Sequence, residues 1–172
     1  MNTPARMQRL RQPAQFQAVM QGTVLYRTPH FVLHALQWRP ASGEPPHDAQ
    51  PRQRRLFADG AVSMGVLVPK RWARRAVTRN LIKRQMRAIT AELAPGLPLH
   101  TAIVLRLRAG FDRRQFISAS SDALKQAVRA ELQQLFARTD WHRLQPLALP
   151  PGVPLAAVDA LQQASGTMQG TP

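Results

Sequence analysis

The chain contains no cysteine, which excludes disulfides, thiolate metal sites and a cysteine nucleophile. Acidic side chains are scarce, with nine Asp and Glu against 24 Lys and Arg in 172 residues. They are scattered, and no close pair suggests a carboxylate metal site or an acid–base couple. Long apolar runs are missing too: nothing approaches the roughly 18 consecutive apolar residues that span a bilayer. The opening MNTPARMQRLRQ lacks the apolar stretch of a signal peptide. There is no Gly-rich phosphate loop and no GxSxG, and His30, His34, His47, His100 and His142 fall at no ligand spacing such as HxxxH. Each histidine reads as structural or solvated. These absences leave little room for a protein-borne active site, and point to a soluble cytoplasmic protein with no membrane attachment.

What is present is positive charge. The formal net charge is +15, a field that draws in polyanions. All the basic residues except Lys70, Lys83 and Lys125 are arginine. The guanidinium fork pairs with phosphate in bidentate fashion and stacks on bases, which favours nucleic acid over an anionic membrane.

Periodicity gives one α+β domain over residues 1–140, an α/β sandwich. Residues 1–12 are polar and basic and read as mobile. Pro13 suits the first turn of a short helix and Gly22 its end, with Phe16, Val19 and Met20 on one face. Residues 30–38 (HFVLHALQW) and 61–68 (AVSMGVLV) read as strands. Between them, 39–60 is rich in proline and glycine and reads as a long flexible insertion. Ile82, Met86, Ile89 and Leu93 recur at helical spacing and predict a helix over 73–94, stopped by Pro95 and Gly96. Residues 101–107 (TAIVLRL) are apolar enough for a central strand. A second long helix, capped from among Ser120, Ser121 and Asp122, carries the stripe Leu124, Val128, Leu132 and Leu135. Residues 141–172 contain Pro146, Pro150, Pro151, Pro154 and Pro172 and read as a disordered tail.

The densest charge lies at the start of the predicted helix. KRWARRAVTRNLIKRQMR supplies Lys70, Arg71, Arg74, Arg75, Arg79, Lys83, Arg84 and Arg87 with no acid among them. Arg75, Arg79, Lys83 and Arg87 recur every fourth residue, so they run along one side, with Arg84 beside them. Like charges so spaced repel by tenths of a kcal/mol per pair, a penalty that a polyanionic partner removes. Asn80 adds an amide that can reach a base edge, a 2′-hydroxyl or a phosphate.

The segment GVLVPKRWARRAVTRNLIKRQMRA resembles the signature of the bacterial ribonuclease P protein family. There a strand passes through a Lys-rich turn into a helix with an Arg-Asn-Arg core followed by Ile-Lys-Arg. This chain matches at Arg79, Asn80, Ile82, Lys83, Arg84 and Arg87. It departs at Leu81, usually Arg, and at Ala88, commonly acidic. RLRQPAQFQAVMQGTVLYRTPHFVLHAL is similar to the family's opening, so the likeness spans residues 6–138.

The resemblance implies a small mixed sheet of about four strands with helices packed on it, in αβββαβα-like order. It also implies a left-handed βαβ crossover, against the usual preference. It implies a protein subunit of an endoribonuclease that removes the 5′ leader of precursor tRNA, with the chemistry and its Mg²⁺ on the RNA subunit. The basic row would bind that catalytic RNA. A cleft formed by Phe16, Met20, Val32 and His34 would contact the leader, Met20 and His34 standing where the family commonly has aromatics. The expected partners are the catalytic RNA and precursor tRNA, with no obligate protein partner. From the residues alone, Phe16 and Met20 can also be plain core, and a ribosomal or ribosome-assembly protein shares the small size and arginine content. A DNA-binding regulator is disfavoured because a strand, not a helix and short turn, precedes the basic helix.

Overall fold

Residues 101–107, the most continuously apolar run in the chain, lie in the middle of a six-stranded mixed sheet. A strand covered on both faces has no side that calls for polar residues, hence the unbroken TAIVL. The computed structural model describes residues 7–39, 56–57, 60–118 and 121–148. In chain order these form β1 (Met7–Arg9), α1 (Pro13–Gln21), β2 (Thr23–Arg27), β3 (Phe31–Arg39), β4 (Val62–Leu67), α2 (Ala76–Leu93), β5 (Thr101–Leu107), α3 (Asp122–Ala137) and β6 (Leu147–Ala148). Short 3-10 turns occupy Ala94–Gly96 and Trp141–Arg143.

The sheet order is β1-β4-β5-β3-β2, with β6 added beside the end of β3. β4 runs parallel to both β1 and β5, and is joined to β5 through α2. β3 is antiparallel to β5 and β2. The helices divide between the faces. Ala18 and Val19 of α1 pack with Leu36, Trp38, Ala102 and Val104. Ile82, Met86 and Ile89 of α2 and Leu124, Val128, Leu132 and Leu135 of α3 pack with Leu33, Ile103 and Leu105. Alternate residues of β3 and β5 thus serve two different cores.

Several sequence expectations change. Residues 7–10, read as part of a mobile terminus, are tied to the sheet: β1 pairs with β4, and the Leu10 amide donates to the Met64 carbonyl at 2.8 Å. β1 and β6, three and two residues long, are too short to register as strands, and neighbours supply their hydrogen bonds. β2, TVLYR, is the first of the three strands between α1 and α2 that the αβββαβα order requires. The helix expected from residue 73 begins at Ala76, because residues 70–72 form a turn in which the Trp72 and Ala73 amides donate to the Pro69 carbonyl. Ser121 is the cap of α3, its hydroxyl accepting from the Leu124 amide at 3.1 Å. Of the segment read as a tail from 141, residues 141–148 carry a 3-10 turn and β6, and Trp141 stacks on Phe136. Residues 149–172 lie outside the described residues. So does most of the 39–60 insertion, of which Leu56, Phe57 and Gly60 are placed: Phe57 is buried and stacks on Trp38 at 4.7 Å.

Two features of the α1 side bear on stability. Gly65 sits directly beneath the Phe16 ring, and a Cβ there would collide with it. His34, 8% exposed, has its pKa lowered, first by burial and then by the charges of Arg106 and Arg27, against an opposing hydrogen bond with the Met20 backbone.

Gly65→Ala should destabilise the fold by about 1–3 kcal/mol, the usual cost of overpacking. In urea denaturation the cost should largely vanish in a Phe16→Ala background, because the colliding ring is gone; equal costs in both backgrounds would contradict the packing. For His34, the unfolded chain titrates near the ordinary value of 6.5 and the folded chain below it. In the window between these values the unfolded state binds more protons, so stability present above 6.5 is lost as pH falls. The melting temperature should therefore drop less between about pH 7.5 and about pH 5.5 in His34→Gln than in the wild type.

Candidate nucleic-acid interface

α2 buries Ile82, Gln85, Met86, Ile89 and Thr90. With about 100° between successive residues, a four-residue spacing drifts by about 40° per step. The row Arg75, Arg79, Lys83, Arg87 therefore winds from beside the buried seam to the open face. Arg79 and Lys83 are half-buried, while Asn80, Arg84 and Arg87 are exposed. The outward crest of α2 is thus Asn80, Arg84 and Arg87, with Lys83 on its flank.

Arg79 has an additional task. Its Nη1 donates to the carbonyls of Ala73 and Arg74, at 3.0 and 2.7 Å. α2 has no side-chain cap at its N-terminus, and this guanidinium instead pins the turn that carries Arg71, Arg74 and Arg75, all exposed as is Lys70. Removing Arg79 would loosen that turn as well as subtract a charge.

Between α2 and α3 lies a groove of about 460 Å³ lined by Val77, Asn80, Leu81, Arg84, Gln85 and Lys125. Leu81 is half-buried and packs against the main core. Lys125 of α3 extends the positive surface across the groove, and its separation from the basic segment in sequence hid it. Glu92, the acid in α2, is held by Arg129 of α3, whose Nη2 donates to both carboxylate oxygens at 2.8 and 2.9 Å.

The opposite face of the sheet brings together the second set of expected residues. Phe16 and Met20 are half-buried on α1, while Val32 and His34 are buried in β3, at 6% and 8% exposure. His34 Nδ1 is enclosed and has no hydrogen-bond partner among the described residues. Val32 pairs in register with Arg27 of β2 and Arg106 of β5, and Arg106 pairs with Leu67 of β4. Arg27, Val32, Arg106 and Leu67 therefore form one row across four strands on the α1 face. Arg27 is exposed and Arg106 and Leu67 are half-buried, so this row, with Phe16 and Met20 beside it, presents the reachable surface. Arg106 was visible as the interruption in TAIVLRL, but the register was needed to put it next to Arg27.

Among the described residues, no group of three His, Asp or Glu side chains could hold a metal ion. His30 is occupied structurally, its Nδ1 2.7 Å from Glu131 Oε2 and its ring stacked on Phe111 at 4.0 Å. His100 Nε2 accepts from the Gly60 amide at 2.9 Å. No helix among the described residues is long and apolar enough to cross a membrane.

Residues 5–139 match the model of the ribonuclease P family. The chain is 35% identical over 130 residues to a ribonuclease P protein component of Bordetella parapertussis, covering 76% of this chain and 89% of that one. It is 32% identical over 143 residues to one from Ralstonia pickettii, covering 83% and 84%. The fold is similar to that of the RNase P protein from Thermotoga maritima, with a TM-score of 0.50 at 21% identity, covering 77% of this chain and 98% of that one. The basic helix, the sheet beneath it and the extent of these matches agree, and the chain belongs to the ribonuclease P protein family.

Proposed function

We propose that this chain is the protein subunit of ribonuclease P. It binds the catalytic RNA through the outer face of α2 and the 5′ leader of precursor tRNA through the α1 side of the sheet. It assists endonucleolytic removal of the leader in the cytoplasm, with no obligate protein partner. The observation that carries this reading is the α2 surface: Lys83, Arg84 and Arg87 with Asn80, and no acid between Ala76 and Ala91 to neutralise them. In this reading the water-activating magnesium ions belong to the RNA subunit. The protein supplies fixed positive charge and an extended contact for the leader.

The two surfaces lie on opposite faces of the sheet, which supports separate roles. On the α2 side, a regular array of guanidinium and ammonium groups suits the phosphates of a folded RNA. On the α1 side, the half-buried Phe16 ring offers a stacking surface, and Arg27 and Arg106 offer phosphate partners for a single strand. The residues first marked for the leader keep different parts: Phe16 and Met20 border the strand's path, while Val32 and His34 form the floor.

Reconstitution with a bacterial ribonuclease P RNA tests this directly. The protein should bind that RNA tightly and stimulate cleavage of precursor tRNA at low magnesium; failure to bind at moderate ionic strength would refute the assignment. Lys83→Ala, Arg84→Ala and Arg87→Ala combined should lower the log–log salt slope of RNA binding by about 2, at roughly 0.7 per lost phosphate contact. Arg106→Ala should raise KM for leader-bearing precursor tRNA while leaving affinity for the catalytic RNA unchanged. A loss of catalytic-RNA affinity instead would reverse the assignment of the two faces.

A further inference from the structure

The turn before α2 and the loop after β5 enclose a hollow of about 580 Å³ that neither surface above uses. Its base is core: Ile82 of α2 and Leu124 of α3, both 1% exposed. Its walls are apolar and unusually open to solvent. Trp72 is 38% exposed and Ile117 85% exposed, and Phe116 is half-buried and packs against the core. Its rim is cationic, carrying Arg71, Arg74 and Arg75 from the turn and Arg113 from the loop, with no acid among the described lining residues.

The walls are fixed in place by neighbours. The Arg71 guanidinium lies 5.3 Å from the Trp72 ring centroid, setting a charge over the indole. Phe116 packs edge-on against Phe111 at 5.9 Å, and Phe111 stacks on the His30 ring that Glu131 holds. At the back, Gly110 closes against the Trp72 carbonyl so tightly that a Cβ there would come within 2.8 Å of the oxygen. The two segments are thus seated against each other and leave the hollow between them.

Few ligands need both features. A free phosphate has no use for exposed indole and isoleucine surface, and an apolar ligand has no use for four arginines. A nucleotide carries a flat apolar base and an attached phosphate. We propose that this hollow receives one unpaired nucleobase of the catalytic RNA, with its flanking phosphates on Arg71, Arg74 and Arg113. This rests on the reading of α2 as the RNA-docking face. The hollow adjoins α2 and α3, on the side of the sheet away from Phe16 and Arg106, so its occupant is the RNA docked on α2 and not the leader. Here α2 contributes phosphate contacts along its length, and the pocket at its start fixes register by taking in a single base.

A stacking contact and a phosphate contact leave different signatures. Stacking on an aromatic side chain is worth enough that its removal should weaken binding about 5- to 150-fold. It releases no counterions, so the salt slope should stay unchanged. The test measures binding of full-length protein to a bacterial ribonuclease P RNA across a salt series, for wild type, Trp72→Ala, Trp72→Phe and Ile117→Asp. Trp72→Ala should lose affinity at unchanged slope, and Trp72→Phe should recover most of it. Ile117→Asp, at a position too exposed to matter for folding, should also weaken binding. Chemical probing should show one RNA nucleotide protected by wild type and exposed with Trp72→Ala. Wild-type affinity in both Trp72→Ala and Ile117→Asp would overturn the pocket while leaving the α2 assignment standing. Failure of wild type to bind would overturn that assignment first. A Trp72→Ala defect confined to leader-bearing precursor tRNA would overturn the choice of occupant.

Discussion

A helix whose outer face is all positive has to be held by something other than itself. In α2 the like charges repel by tenths of a kcal/mol per neighbouring pair. Against this stand Ile82, Met86 and Ile89, each at most 1% exposed, and burying each is worth about 1.5–3 kcal/mol. That seam settles the balance, and it does so without neutralising any charge. The rest of the molecule follows from the need to provide a surface for it: β4 and β5 lie beneath and α3 alongside, with Glu92 and Arg129 pairing at the far end. The result is a rigid carrier of uncompensated charge, a state that is tolerable in a fold and useful to an RNA.

The same arrangement explains why the sheet has two distinct cores. β3 and β5 send alternate residues to α1 on one side and to α2 and α3 on the other. On the α1 face, Arg27 is exposed and Arg106 and Leu67 are half-buried in one row with the buried Val32. Under Phe16 the sheet has to carry no side chain, and Gly65 provides that. The molecule therefore offers a convex charged helix on one side and a shallow, partly aromatic floor on the other, with the sheet as a spacer that keeps the two apart.

Much of this was legible in the chain. The α2 seam, the α3 stripe, the β5 run and the basic cluster all rest on local periodicity, and local periodicity survives folding because each element buries one face. β1 and β6 were not legible, since strands of two or three residues at the sheet edges take their definition from partners far away in sequence. β2 was legible only through the αβββαβα order that the resemblance implies. Nor could spacing show that Arg79 donates to Ala73 and Arg74, because the turn it braces exists only once α2 is docked.

By itself, the sequence determined the strong positive charge and the helix that carries most of it: an excess of arginine, a cluster free of acids, and an apolar stripe of helical period. These are properties of composition and of neighbours a few residues apart, where geometry is fixed by the backbone repeat. Tertiary structure alone decided which charges face outward and which serve the fold, which strands lie side by side, and that Trp72 and Ile117 meet Arg113 around one hollow. Such facts depend on contacts between segments distant along the chain, and those contacts are set by the packing of whole elements, which no local pattern encodes.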